Sequence, residues 1–167
     1  RFEPIQPHTF VDININGGAN GGKIRTVYGG GNGVTVRRGA TVFMNINEPA
    51  QAQDFNNIDT IFGGNNMGDL DVVPDVLLLH GQVGTVYGGC NRGAMTADYN
   101  ATLNPLKTIE GYENIGSYVY LRNTYQASSD STHTVTAKVK NAIFGGCRSN
   151  GVTRNSLVLV GGGSHTA

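Results

Sequence analysis

The chain has 167 residues and a mass of 17.6 kDa, which suits one compact domain. Lys and Arg number 12 against 12 Asp and Glu. That balance leaves no basic excess to neutralise nucleic-acid phosphate or an anionic membrane surface. No apolar run approaches the roughly 18 residues of a bilayer span. Glycine, at 25 residues, is about twice its usual share of roughly 7%.

The chain starts at Arg1, without a signal-like segment. The expectation is a single segment over 1–167 cut from a longer exported protein. A first β-rich run, TFVDININ, covers 9–16, and its alternation of apolar and polar residues predicts a half-buried strand. A glycine-rich turn at 17–22 follows, then Thr26-Val27-Tyr28-Gly29-Gly30-Gly31-Asn32. A second run, ATVFMNIN at 40–47, again alternates. It leads through a loop at 48–57 into Thr60-Ile61-Phe62-Gly63-Gly64-Asn65-Asn66. DVLLLH at 75–80 precedes Thr85-Val86-Tyr87-Gly88-Gly89-Cys90-Asn91. After a long insertion at 92–116, SYVYLR at 117–122 and a loop at 124–133 precede Ala142-Ile143-Phe144-Gly145-Gly146-Cys147-Arg148. SLVLV at 156–160 starts a fifth unit. No segment has the period of an amphipathic helix.

Four copies of T-[VI]-[YF]-G-G-x-N, each preceded by a short strand, define a repeat. Its unit starts fall near 9, 40, 75, 117 and 156. Such a unit buries no face alone and must stack on its neighbours. The predicted fold is all-β, a single-stranded right-handed parallel β-helix (β-solenoid) of about four to five coils with long loop insertions. Coils about 4.8 Å apart put equivalent residues in columns. One column holds Tyr28, Phe62, Tyr87 and Phe144; a second holds Val27, Ile61, Val86 and Ile143. A third holds Asn32, Asn66 and Asn91, whose amides can bond from coil to coil. The paired glycines fit a corner of positive φ or close backbone approach.

These motifs resemble the glycine-rich β-helix repeats of bacterial secreted and cell-surface proteins, over roughly residues 9–163. The resemblance implies a right-handed parallel β-helix, export to the bacterial surface or beyond, and often no known activity. Asn65 in place of a third glycine, Arg148 in place of the final Asn, and the insertion before Gly116 depart from it. A β-prism lectin also uses glycine-rich turns, but unequal spacing and more than three copies favour the open solenoid.

Cys90 and Cys147 share one repeat position. If their units are successive coils, they are stacked thiols or a disulfide pair. An extra coil near 115–117 would set them two rungs apart. Asp69, Asp71 and Asp75 form the best carboxylate cluster and are candidate Ca²⁺ ligands, though without EF-hand spacing. His8, His80, His133 and His165 are isolated, and Arg92, Arg122, Arg148 and Arg154 are scattered. A sequon occurs at Asn100-Ala101-Thr102. In Ile24-x-x-Val27 and Ile58-x-x-Ile61, two intervening residues can turn a corner. The aliphatic column then points inward and the rings point outward. The opposite parity buries the rings, and the charges fit both.

The expected function is that of a non-enzymatic structural or adhesive rod. It displays loops and a repeat-ordered face, including the ring and asparagine columns, to glycan or protein partners. The alternative is a fragment of a polysaccharide-active β-helix enzyme, a lyase or glycoside hydrolase. A glycosidase needs carboxylates about 5–9.5 Å apart, and nothing in the sequence sets such a distance. Open coil ends predict end-to-end association of an isolated segment.

Overall fold

The computed structural model describes residues 9–13, 23–37, 39–46, 58–96, 115–122, 137–149, 151 and 155–161. The expected loops at 48–57 and 124–133, most of 92–116, the sequon, His8, His133, His165 and Arg154 lie outside these residues. Among the described residues there are eight strands and no helix. They are β1 (Thr9–Ile13), β2 (Ile24–Tyr28), β3 (Ala40–Asn45), β4 (Ile58–Phe62), β5 (Pro74–Tyr87), β6 (Ile115–Arg122), β7 (Ala137–Phe144) and β8 (Asn155–Gly161).

Every strand pair is parallel, and the sheet curls into a half-barrel. Two ladders share β5. The first runs β1-β3-β5-β6-β8 and the second β2-β4-β5-β7. A third line of contact consists of isolated bridges, Asn32–Met67–Arg92–Ser149 and Val36–Leu70–Met95. The strands of the first ladder start their register at Thr9, Ala40 and Pro74, and Ser117 pairs Ser156. The third unit therefore begins one residue before the expected position 75.

Inward columns follow from this register. Val11, Val42, Val76, Val119 and Val158 stack as one valine column in the first ladder. Val27, Ile61, Val86 and Ile143 stack in the second. Both columns meet in one apolar core with Met44, Ile58, Leu78 and Val83. β-branched side chains suit this role, since they are stiff and pack well on a pleated surface.

The first glycine of each repeat faces the valine column of the next unit. A Cβ at Gly29, Gly63 or Gly88 would stand 2.9 Å from Val42, Val76 or Val119. It would also collide with the carbonyl oxygen of the glycine stacked on it. These glycines are required by close backbone approach, not by positive φ. Gly81 is the contrasting case. It bends the long β5 strand between the two ladders at φ 106°, with Ile46 pressed against it.

Candidate functional site

The ring column stands on the outward side of the second ladder. Ile58, Ile61, Val83 and Val86 all belong to the apolar core, with Ile24 packed against it. Both aliphatic residues lie in one strand at i and i+3, so side-chain parity changes between them and the ring that follows points away from the core. Tyr28, Phe62, Tyr87 and Phe144 stack at centroid separations of 5.1, 4.9 and 4.9 Å, with planes within 14° of parallel. That geometry uses up the ring faces. Each inner ring lies between two others, and Phe62 is 1% exposed. A sugar stacks on a ring face, so the interior of this column has none to offer. Phe144, at the end of the stack, is 47% exposed.

The asparagine column is a chain of side-chain amides. Asn66 Nδ2 donates to Asn32 Oδ1 at 2.9 Å, and Asn91 Nδ2 donates to Asn66 Oδ1 at 2.8 Å. Its internal donors and acceptors are likewise directed along the stack.

The sixth motif position forms a column that the consensus showed only at its two cysteines, because its other letters differ. Gly31 N–H donates to Asn65 Oδ1 at 2.7 Å, Asn65 N–H to Cys90 Sγ at 3.4 Å, and Cys90 N–H to Cys147 Sγ at 3.2 Å. Each side chain satisfies a backbone donor of the preceding unit. Asn65 is fully buried, and its Nδ2 also reaches the carbonyls of Val34, Gly68 and Asp69 at 3.0, 3.3 and 2.8 Å. β7 pairs directly with β5, so no extra unit intervenes and the cysteines occupy successive rungs. They are thiols in the structure. The neighbouring Cys147 thiol and burial push the Cys90 thiol well above its ordinary value.

Asp69 and Asp71 flank the inward Leu70 on the third line of contact, both exposed. Asp69 accepts from Ala94 N–H at 3.0 Å, and Asp71 accepts from the Thr96 hydroxyl at 3.3 Å. Asp75 is 7% exposed on the first ladder, between Thr41 and Tyr118. Among the described residues no three His, Cys, Asp or Glu side chains are grouped to hold a metal ion. A shallow groove of about 560 Å³ beside β7 is lined by Gln82, Lys138, Val139 and Lys140.

The outer face of the first ladder is different, and sequence reasoning missed it. Outward positions alternate with the valine column, giving two further columns. One is Phe10, Thr41, Asp75, Tyr118 and Leu157; the other is Asp12, Phe43, Leu77, Tyr120 and Leu159. Rings and aliphatics dominate this outward face, and no column repeats a residue type in adjacent units. Tyr118 and Tyr120 lie side by side on β6, with centroids 6.5 Å apart and planes within 6°. Phe10 and Phe43 are also 6.5 Å apart. Burial, then Tyr120 and Asp75, push the Tyr118 phenol up to about 12. The usable signal was the valine at the centre of each strand, whose neighbours on either side must face outward.

Comparison with protein-family models, with curated proteins and with solved structures finds no match to this chain.

Proposed function

We propose that this chain is a stretch of a single-stranded right-handed parallel β-helix from an exported bacterial surface protein. It serves as a non-enzymatic adhesive rod. The reading rests on one observation: the repeated motif is consumed by stacking. Rings stack on rings, amides bond to amides, and glycines admit the next unit's backbone. Three parallel lines of contact recur in the same order in successive units. Right-handedness follows from the general preference of parallel crossovers. Low charge and the resemblance to surface β-helix repeats support export. Phe10 in the first unit and Phe144 in the fourth are 55% and 47% exposed, which leaves ring area on which a further unit can stack.

Adhesion is assigned to the outer face of the first ladder around Phe43, Leu77, Tyr118 and Tyr120. Contiguous outward apolar surface rimmed by polar groups marks interaction sites. Paired tyrosines offer ring area with polar tips suited to glycan or protein surfaces. The test is a binding screen on mucin, plant and bacterial glycans, with and without calcium, scoring eliminative cleavage alongside. The expected result is calcium-independent binding without cleavage, weakened at least roughly tenfold by Tyr120→Ala, the scale of one truncated interface anchor. Calcium-dependent cleavage would overturn this reading in favour of the enzyme. Binding unaffected by Tyr120→Ala and Phe43→Ala would overturn the assigned face.

A further inference from the structure

We propose that Cys90 and Cys147 are the site of a reversible disulfide staple, closed by a small-molecule disulfide oxidant. The inference goes beyond the adhesive reading and does not depend on it. The two residues are bracketed by inter-unit hydrogen bonds. Gly89 N–H donates to Gly146 O at 3.1 Å, and Arg148 N–H donates to Cys90 O at 2.9 Å. Adjacent parallel strands lie about 4.8 Å apart, inside the roughly 4.4–6.8 Å Cα separation of disulfides. The Cys147 sulfur already leans toward its partner, accepting the Cys90 backbone N–H at 3.2 Å. The Cys147 thiol is near enough to push the Cys90 thiol above its ordinary value. Around them lie Leu70, Met95 and Val36.

Exposure sets the order of events. Cys90 is 0% exposed, whereas Cys147 is half-buried. The Cys147 thiolate attacks one sulfur of the oxidant RSSR, forming a mixed disulfide and expelling RS⁻, which takes up a proton. Cys90 then gives its proton to solvent and attacks the Cys147 sulfur, expelling the second RS⁻. Two protein thiols and RSSR become one protein disulfide and two RSH. The product ties the third unit to the fourth across 57 residues of chain. That span contains β6 and its paired tyrosines.

The full chain, purified reduced, is incubated with oxidised glutathione. Thiols are then counted after denaturation and peptides mapped without reduction. The expected result is loss of both thiols with no retained glutathione, and one cross-linked pair of peptides containing Cys90 and Cys147. The melting midpoint rises by roughly 4–16 °C, the scale of a disulfide in a chain of this size. Reduction returns the midpoint to its starting value. Cys147→Ser, at the more exposed position, removes the shift without requiring a change in the buried partner. Two thiols that survive oxidation, a stable glutathione adduct on Cys147, or dimers linked through these cysteines would each overturn the proposal.

Discussion

The outer faces of the two main ladders are built from similar residues and put to opposite use. On the second ladder Tyr28, Phe62, Tyr87 and Phe144 repeat one residue type in register, so each ring covers the next. On the first ladder Phe43, Leu77, Tyr120 and Leu159 share a column in which adjacent units never carry the same shape. A column of like side chains satisfies itself along the stack and leaves little for a partner. A column of unlike ones leaves ring area and polar tips facing outward. The most repeated feature of the sequence is thus the least available for recognition.

Substitution should separate the two faces. Phe62→Ala removes a ring that is 1% exposed and held between two others. Its expected cost is about 3–5 kcal/mol, read by chemical denaturation. Tyr120→Ala, on the half-buried first-ladder face, should cost under about 1 kcal/mol while weakening any ligand bound there. Equal losses at both positions would erase the distinction.

The same contrast recurs between Asn65 and Asn66, adjacent in sequence but on opposite sides of the backbone. Asn65→Leu removes a fully buried amide that serves the Gly31 N–H and three carbonyls. Unsatisfied buried groups cost about 1–3 kcal/mol each, so a loss of about 2–4 kcal/mol is expected. Asn66→Ala interrupts a more exposed amide chain and should cost about 1 kcal/mol. Thermal melts of both variants read the difference, and a larger loss at Asn66 would reverse the assignment of the two columns.

The smallest effect is one of pH. Tyr118 has a folded pKa raised from 10.0 to about 12. The folded state therefore holds this proton where the unfolded chain has lost it. The contribution is fully present below pH 10 and is lost as the pH rises toward 12. Tyr118→Phe should flatten the decline in stability over that window. A parallel decline in both proteins would show that Tyr118 does not carry it.

Much of the architecture was legible because the repeat is also the stacking rule. The order of strands, the stacking of the rings and the asparagine amide chain all follow once T-[VI]-[YF]-G-G-x-N is set in register. The first-ladder face was not legible. Its strands share only a central valine, and that signal is weak beside four copies of a seven-residue motif. The column Gly31, Asn65, Cys90 and Cys147 was legible only at its cysteine pair, for a related reason. An amide oxygen and a sulfur perform the same acceptor task with different letters.

Sequence by itself determined the repeat, the all-β character and the ring, aliphatic and asparagine columns of the motif, because side-chain period and motif spacing are local properties of the chain. Tertiary structure alone decided which way each column points. The parity changes within β2 between Ile24 and Val27, and nothing local distinguishes the two outcomes. It also decided that the glycine pairs answer the valines of the next unit, and that Cys90 and Cys147 lie one rung apart despite the 57 residues between them. Both are contacts between segments far apart in sequence, set by how the units stack.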